Sequence, residues 1–331
     1  MSRRAEIIAA LREGDGFVSG QDLAGRLGLS RAAVWKQVQM LRRRGFRIES
    51  KRSCGYRLVY CPDALIEEEI RPLLRPRGLY TRLVCFARTA STNKDAFECG
   101  RRGEAEGLVV IADEQSAGRG RLGRQWESVP GVNLYLSVLL RPDIPPAHAP
   151  QLSLVAAVAV ASALSEIGLE PAIKWPNDVL LGGRKVCGVL TEIEAETDRV
   201  GFVVVGIGVN LNSEAEHFSE DLRDTATSVL IHSGRSVDRV AFVASLLGHL
   251  ERLYATYTHE GFSAIAPQWE ARSSLRGRAV TVVVAGRRLR GQCVGIDTDG
   301  ALLVKEDSAG RSVPPTRVLA GDVTLPGGYC Q

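Results

Sequence analysis

This sequence lacks the patterns that usually indicate disulfides or a protein-bound metal. Its seven cysteines are odd in number and include no C-x-x-C pair, and its five histidines are scattered without an H-E-x-x-H motif. Disulfides and a structural zinc site are therefore not expected. We expect no metal site built by protein side chains alone.

A secretion signal and a long hydrophobic run are also missing. Residues 1–16, MSRRAEIIAALREGDG, include acidic residues and only a short apolar patch. The longest apolar run, 152–164, is interrupted by Ser153 and Ser162 and is too short to span a bilayer. It predicts a buried core helix. Together these features predict a cytoplasmic protein with no membrane partner.

Charge is unevenly distributed along the 331 residues, a length that suits two or three domains. With 45% hydrophobic and 24% charged residues, the composition is that of an ordinary globular protein. Residues 1–62 contain 13 Lys and Arg against 5 Asp and Glu, a net charge of +8, whereas the rest carries −4 of the total +4. This asymmetry indicates that the N-terminal part binds a polyanion.

The N-terminal segment predicts a winged helix-turn-helix. Apolar residues at helical spacing predict three helices, with Ser19 capping the second helix and a short glycine turn at 27–29 before the third. After Gly45 the apolar period changes to two, which predicts a β-hairpin. A structural domain with a solvated basic face is the alternative. We predict DNA binding, with contacts from Ser30, Arg31, Lys36, Gln37, Lys51 and Arg52.

The remainder of the chain predicts two further domains. A helix is expected from Ala64 to about Arg71, stopped by Pro72. The mixed order of strands and helices that follows indicates an α+β fold around a mixed sheet, not a doubly wound one. From about Gly277 only strands and turns are expected, which fits a five-stranded small barrel. The predicted domains are 1–62, 63–272 and 273–331.

The stretch GRGRLGR, residues 118–124, is the most unusual in the chain. It matches G-x-G-x-x-G, but Pro130 and Gly131 leave no room for the helix that a dinucleotide fold requires there. Its glycines allow the backbone to approach a ligand closely, and its arginines can bind carboxylate or phosphate oxygens. A solvated basic loop is the alternative.

Four further groups of polar residues lie at predicted strand ends or helix starts, where hydroxyls, amides and free backbone N–H groups can bind a ligand. Simple helix capping by Ser91 is the alternative for the first group. Lys174 and Lys185, taken alone, would be surface lysines. The groups are Ser91-Thr92-Asn93, Glu114-Gln115, the turn Lys174-Trp175-Pro176-Asn177-Asp178, and Arg184-Lys185 followed by Gly188.

In combination these stretches resemble the biotin protein ligases, also called biotin–acetyl-CoA-carboxylase ligases. The motifs STN, DEQSAGRGRLGRQW, NLYLSV, KWPNDVLL, RKVCGVLTE and VVVGIGVNLN follow one another from about 87 to 212. A winged helix in front and a small barrel behind resemble the bifunctional subgroup, which also represses biotin-synthesis genes. The resemblance implies a sheet domain like those of class II synthetases and biotinyl-lipoyl ligases, followed by an SH3-like barrel.

The resemblance also implies a reaction and its partners. Biotin and ATP, with Mg²⁺, form biotinyl-5′-adenylate and pyrophosphate. A lysine of a carrier protein, such as the biotin carboxyl carrier protein of acetyl-CoA carboxylase, then takes the biotinyl group. Operator DNA of biotin genes is the further partner, and a homodimer is expected. Bringing a carboxylate to a triphosphate requires several fixed cations to offset their repulsion.

Motif matching assigns roles to individual residues as the resemblance implies them. The catalytic group is Lys185, Arg121, Lys174 and Asp178. The biotin-binding group is Ser91, Thr92, Asn93, Gln115, Gly118, Arg119, Gly120, Arg121, Lys185 and Gly188. The ATP-binding and adenylate-binding group is Arg119, Arg121, Arg124, Trp126, Asn133, Lys174, Asn177 and Asn210. No ATP contact is carried onto the barrel, in which Arg278 is a weak candidate.

Within these roles, Lys185 is implied to hold the attacking carboxylate and Lys174 to neutralise phosphate. Asp178 is implied to help place Mg²⁺ or the incoming lysine. Three other functions remain open: a ligand sensor that has lost catalysis, a lipoate-type ligase, and a ligase whose winged helix regulates only its own domain arrangement.

Overall fold

The computed structural model describes residues 3–13, 16–43, 45–60, 64–284, 287–307 and 313–325. Within them lie sheets of two, seven and five strands. The predicted domain boundary at 62 and 63 lies outside the described residues, as does the end of the predicted C-terminal domain, 326–331. The boundary at 272 and 273 stays a prediction.

The first domain has the predicted winged helix-turn-helix order. Ser19 Oγ accepts the Asp22 N–H at 3.0 Å and Ser30 Oγ accepts the Ala33 N–H at 3.1 Å, so both serines begin helices. Gly28 ends the second helix in the left-handed region, with φ 60°. The elements are α1 (Arg3–Glu13), α2 (Gly20–Leu27), α3 (Arg31–Arg43), β1 (Arg47–Lys51) and β2 (Gly55–Tyr60). Their core is formed by Ile7, Ile8, Leu23, Val34, Val38, Leu41, Phe46 and Ile48.

The segment after the winged helix differs from the prediction. The helix α4 is Glu67–Ile70, shorter than expected, and a 3-10 turn over Arg71–Leu73 then accommodates Pro72 near its start. Two buried glutamates of α4 pair with arginines of α1: Arg4 with Glu68 at 2.9 Å, and Arg12 with Glu69. These ion pairs, buried on the glutamate side, join the winged helix to the central domain.

The central domain is built on a seven-stranded sheet of order β3-β4-β5-β9-β8-β7-β6. The pair β3 and β4 is parallel, and the other neighbours pair antiparallel. The predicted α+β arrangement around a mixed sheet is therefore confirmed. The strands are β3 (Arg82–Phe86), β4 (Leu108–Ala112), β5 (Leu134–Leu140), β6 (Ala172–Lys174), β7 (Asp178–Leu181), β8 (Arg184–Ala195) and β9 (Val200–Val209).

Helices cover both faces of this sheet. Successive side chains of β4 alternate, so that Leu108 and Val110 pack in the cluster on the α5 face while Val109 and Ile111 pack in the large core with α6 and α9. The helical segment Pro146–Glu166 has the length and apolar composition of a membrane span, but 78% of its apolar window is buried, as expected for a core helix. The helices are α5 (Thr92–Arg101), α6 (Gln151–Glu166), α7 (Glu220–Arg223), α8 (Val229–Ser233), α9 (Arg239–Glu260) and α10 (Ala266–Glu270).

The C-terminal domain is a five-stranded antiparallel sheet of order β13-β12-β11-β10-β14, as many strands as predicted. Its turn at Gly300 lies against the central domain, where the Trp175 indole donates to the Gly300 carbonyl at 3.0 Å and Gln151 donates to the Asp299 carbonyl at 3.1 Å. This contact brings the last strand towards the central sheet. The strands are β10 (Ala279–Val284), β11 (Arg287–Ile296), β12 (Leu302–Glu306), β13 (Thr316–Val318) and β14 (Asp322–Thr324).

One buried arginine joins the start of α9 to two strand ends of the central sheet. Arg239, 1% exposed, donates to Asp113 at 2.7 Å and to the backbone carbonyl of Asn133 at 3.2 Å. Asp113 follows β4 and Asn133 precedes β5. Because Gln115 lies two residues beyond Asp113, this ion pair also fixes part of the predicted ligand site.

Replacing Arg239 with Met should lower the free energy of unfolding by about 3 kcal/mol, since it leaves the Asp113 carboxylate without its buried partner. Urea-induced unfolding followed by circular dichroism measures the change. Arg102→Met is the control, because Arg102 is 77% exposed in its pair with Glu98, and its effect should stay below about 0.5 kcal/mol. Equal effects in the two variants would contradict the structural role of Arg239.

Candidate active site

A cavity of about 480 Å³ opens between the central sheet, the loop 118–124 and β14. Ligand sites of this size usually combine apolar walls with a few convergent polar groups. The cavity brings together the predicted residues Ser91, Thr92, Asn93, Gln115, Arg119, Gly120, Arg121, Arg124, Trp126, Lys174, Asn177, Asp178, Lys185, Gly188 and Asn210. Gly118 and Asn133 are the predicted ligand residues that do not line it.

The floor of the cavity is formed by glycines of β8 and β9 beneath Trp126. A Cβ atom added to Gly208 would lie 2.7 Å from the Trp126 ring, and one added to Gly188 would lie 2.9 Å from it. Lys185 Nζ lies 5.5 Å from the centroid of the same ring. Within the described part of the chain, the buried indole N–H of Trp126 has no hydrogen-bond partner. Glycine at 188 and 208 is therefore what gives the indole its place in the cavity.

Gly118 lies next to the cavity and is not one of its lining residues. Its carbonyl accepts the Trp126 backbone N–H at 3.0 Å, and a Cβ atom at Gly118 would lie 2.6 Å from the Trp126 carbonyl oxygen. The absence of a side chain lets the two ends of the loop approach each other. Gly118 thus shapes the loop that carries the arginines.

The cationic wall of the cavity comes from three consecutive strands. Lys174 ends β6 and lies opposite Asp178, the first residue of β7. Sequence reasoning placed the KWPND motif in a turn but missed β7, because a short apolar run such as VLL does not distinguish a strand from other structure. Lys185, at the start of β8, lies 2.6 Å from Asp178. Lys174 is 6% exposed and Asp178 is 8% exposed, so these charges lie largely out of water.

The basic loop is held by groups that a ligand could replace. Arg121 donates to Asn177 Oδ1 and to the Gly321 carbonyl, both at 3.3 Å. Arg124 donates to Asp322 at 2.6 Å. Leu122, at the tip of the loop, has φ 56° and is 73% exposed. A leucine in the left-handed region is strained, which indicates that the loop is constrained by its surroundings.

The C-terminal domain contributes to the cavity, which the sequence did not predict. Asp322, Val323 and Thr324 of β14 are among the lining residues, whereas Arg278 is not. Arg121 and its partner Gly321 are 200 residues apart in the sequence. A short sequence pattern does not predict a contact between residues so far apart. From the sequence, no ATP contact was carried onto this domain, and β14 adds three residues to the lining.

The far end of the cavity is polar and uncharged. Gln115 Oε1 accepts the Thr92 backbone N–H at 2.9 Å, and Gln115 Nε2 donates to Ser128 at 3.2 Å. Ser91 precedes α5 but makes no side-chain capping bond, so simple helix capping does not explain it. Ser137, fully buried on β5, lies behind this end and was missed, because a serine within a strand carries no motif.

Two asparagines on the opposite side differ in their surroundings. Asn210 lines the cavity, and its amide donates to the Thr227 carbonyl at 3.1 Å. The Asn133 amide is used inside the protein: it accepts the Leu211 N–H at 3.0 Å and donates to Tyr135 and Ser213. In this structure Asn133 supports the cavity wall and does not face a ligand.

Two titratable groups near the cavity stay neutral because they are buried. Burial raises the pKa of Tyr135 to about 12, so its hydroxyl remains a donor and donates to the Val129 carbonyl at 3.1 Å. Burial also raises the pKa of the Cys187 thiol. Cys187 is therefore not a thiolate nucleophile at neutral pH.

The predicted DNA-binding residues lie just before α3, in its first two turns and at the tip of the hairpin. Ser30, Arg31, Lys36, Lys51 and Arg52 are exposed, and Gln37 is half-buried. Trp35, which was not singled out from the sequence, is 56% exposed on the same helix. Basic and aromatic side chains on one helix face are suited to a nucleic-acid surface.

Comparisons with known proteins agree with each part of this architecture. Family profiles match an HTH domain at residues 3–57, the Biotin/lipoate A/B protein ligase family at 85–210 and the Biotin protein ligase C terminal domain at 276–325. The chain belongs to the biotin/lipoate A/B protein ligase family.

Particular relatives share nearly the whole chain. The bifunctional ligase/repressor BirA of Bacillus subtilis is 40% identical, over 88% of this chain and 90% of that protein. The protein of the same name from Escherichia coli is 33% identical, over 91% of this chain and 92% of its own length. The structure of a biotin protein ligase from Aquifex aeolicus in complex with biotin and ATP is 28% identical, has a TM-score of 0.63, and covers 75% of this chain and 99% of its own.

Replacing Asp322 with Asn should loosen the basic loop, since Arg124 then loses its charged partner. Trypsin should cleave after the loop arginines roughly two to three times faster at low salt, and the difference should disappear near 1 M salt. Asp299→Asn is the matched control, because Asp299 pairs with Arg317 at 2.7 Å elsewhere in the same domain. Unchanged cleavage in Asp322→Asn would remove Asp322 from the control of the loop.

Proposed function

We propose that this protein is an ATP-dependent biotin protein ligase that also acts as a biotin-dependent transcriptional repressor. The observation that carries the ligase assignment is the polarity of the cavity. One end is neutral, with Thr92 and Gln115, and the other end carries Lys174, Lys185 and the loop arginines. Biotin also has a neutral end and a charged end, since its ureido ring is neutral and its carboxylate is negative.

The first step joins two anions. The biotin carboxylate attacks the α-phosphorus of ATP, a new C–O–P bond forms, and pyrophosphate leaves with the electron pair of the broken P–O bond. Attack at phosphorus depends mainly on positioning and charge stabilisation. Lys185 exchanges Asp178 for the biotin carboxylate. Lys174, Arg119, Arg121 and Arg124 offset the charge of the phosphates.

Mg²⁺ bound to ATP would neutralise part of the charge of the phosphates. Asp178, the carboxylate beside Lys185 on the cationic wall, would supply an oxygen ligand. The lining also contains Trp126, whose indole N–H lacks a partner within the described residues. Trp126, Asn210 and Asn177 are the residues that we assign to the adenylate side, with Asn133 as a supporting residue behind them.

The second step transfers biotin to a carrier protein. The neutral amine of a carrier lysine attacks the acyl carbon of biotinyl-5′-adenylate, an amide bond forms, and AMP leaves. The mixed anhydride must be shielded from water until then. Gly118, Arg119, Gly120 and Arg121 belong to the loop that we expect to close over it. A biotin carboxyl carrier protein of acetyl-CoA carboxylase is the proposed acceptor.

Lys185→Met should abolish the first step, because the attacking carboxylate loses the cation that holds it. Biotin-dependent exchange of label between pyrophosphate and ATP should fall at least about 100-fold. Lys94→Met, which removes an exposed lysine of α5, is the control and should leave the rate unchanged.

The same assay decides between the candidate functions. Exchange in the unmodified protein that requires lipoate in place of biotin would support a lipoate-type ligase. Absence of exchange with either acid would support a ligand sensor without catalysis.

The repressor assignment rests on the winged helix-turn-helix, its net charge of +8 and the exposed basic face of α3. A ligand can switch DNA binding only through a different affinity for two states of the protein. We propose that the adenylate orders the basic loop and thereby favours a homodimer in the cytoplasm, which binds a two-fold operator of biotin genes.

Footprinting on DNA upstream of biotin-synthesis genes tests this role. With biotin and ATP present, a two-fold site should be protected, and affinity should fall steeply with salt. Arg31→Ala should weaken operator binding by about 1–3 kcal/mol, as expected for the loss of one base contact. Arg102→Ala is the control for a basic residue outside the winged helix. A protein with exchange activity but no protected site would be a ligase whose winged helix does not repress.

A further inference from the structure

A chain of hydrogen-bonding groups lies behind the polar end of the cavity and ends on a carboxylate. In order, its members are Gln115, which accepts from the Thr92 backbone N–H, then Thr92, Ser137, Asn93 and Glu192. Thr92, Asn93 and Ser137 are at most 5% exposed. Gln115, Thr92 and Asn93 line the cavity, whereas Ser137 and Glu192 do not. The chain therefore connects ligand-facing groups to a charge outside the cavity wall.

Glu192 determines the orientation of the Asn93 amide. Asn93 Nδ2 donates to Glu192 Oε2 at 2.7 Å and to the Leu190 carbonyl at 3.3 Å. Both partners can only accept, so a flipped amide would set oxygen against oxygen. Asn93 Oδ1 consequently points towards Ser137. A Cβ atom at Gly206 would lie 1.9 Å from this oxygen, so glycine provides the space for it.

The orientation of Asn93 in turn determines where the hydroxyl protons lie. The Ser137 hydroxyl oxygen is 2.6 Å from Asn93 Oδ1 and 2.8 Å from the Thr92 hydroxyl oxygen. Ser137 has one proton, and the amide oxygen can only accept it. Two hydroxyl oxygens 2.8 Å apart need a proton between them, so the Thr92 hydroxyl donates to Ser137. Gln115 Oε1 is farther from the Thr92 hydroxyl, at 3.2 Å, and it accepts the Thr92 backbone N–H at 2.9 Å.

With its proton used in this way, the Thr92 hydroxyl offers only lone pairs to the cavity. We propose that Glu192 is a positioning residue that fixes Thr92 as a hydrogen-bond acceptor, so that the site selects a ligand with an N–H donor. This inference rests on the proposed function and deepens it, because the ring N–H groups of a cyclic urea are such donors. Glu192 acts through Asn93 and Ser137 and does not touch the ligand.

Glu192→Met removes the acceptor and leaves the Asn93 amide free to turn. The KM for biotin in pyrophosphate exchange should rise roughly tenfold, while the KM for ATP and kcat should stay within about twofold. Glu194→Met is the matched control. Glu194 lies two residues along the same strand and pairs with Arg101 at 3.1 Å on the surface, so its KM for biotin should not change.

A pair of isosteric substitutions tests which residue donates and which accepts in the hydrogen bond between Asn93 and Glu192. Asn93→Asp places a second carboxylate against Glu192, and its KM for biotin should rise roughly 100-fold. In the double variant with Glu192→Gln, the new amide donates to the new carboxylate at position 93, and that carboxylate still accepts from Ser137. The KM for biotin should recover to within about tenfold of the original value, and not completely, because the new carboxylate still faces the Leu190 carbonyl, which Asn93 contacts at 3.3 Å. If Glu192 had only a structural role, the double variant should have a higher KM for biotin than either single variant.

The outcomes separate this inference from the proposed function. If the unmodified protein shows no biotin-dependent exchange, the ligase assignment fails, and the inference that depends on it fails too. If exchange occurs and Glu192→Met leaves the KM for biotin unchanged, or the double variant is no better than Asn93→Asp, the role of Glu192 is overturned alone. Circular dichroism shows whether each variant folds. If Glu192→Met does not fold, the comparison of Asn93→Asp with the double variant tests the role of Glu192.

Discussion

The cavity depends on positive charges that are held close together. Lys174 is buried, and burying an unpaired cation would be costly because burial removes its hydration. Two of the other cations have acidic partners within the protein: Lys185 pairs with Asp178, and the largely exposed Arg124 pairs with Asp322. A ligand carboxylate or phosphate can replace these partners at little cost in charge. The ion pairs thus hold cations in positions where an anionic ligand can bind them.

The polar end works by the opposite principle. There the groups carry no charge, and selectivity comes from the direction of hydrogen bonds that cannot be reversed. Asn93 cannot flip because Glu192 and the Leu190 carbonyl both accept from it. A neutral ring with N–H donors fits this end, and a carboxylate fits the other. Under the proposed function, the two ends together would orient biotin in a single direction across the sheet.

The three domains contribute unequally to this site. The central sheet supplies the floor and both ends, and the C-terminal sheet supplies the acidic group that holds the basic loop. The winged helix is joined to the central domain through pairs of the partly exposed Arg4 and Arg12 with buried glutamates of α4. The basic loop lines the cavity and also pairs with Asp322, and Leu122 at its tip lies on the surface. This connection is the physical basis on which we propose that adenylate binding controls dimerisation.

The sequence by itself determined the elements whose pattern is local. Helical spacing predicted α1 to α3 and the buried α6, and alternation predicted the hairpin. The motifs at 91–93, 118–124, 174–178 and 184–188 contain 14 of the 33 residues that line the cavity. The tertiary structure alone decided what depends on contacts between distant residues. It placed Asp322 beside the arginines of the basic loop. It also gave the Asn133 amide hydrogen-bond partners inside the protein, and it placed Ser137 and Glu192 behind Thr92. Such contacts have no signal in a single sequence, because hydrogen-bond partners across a sheet are chosen by register and packing and not by neighbours along the chain.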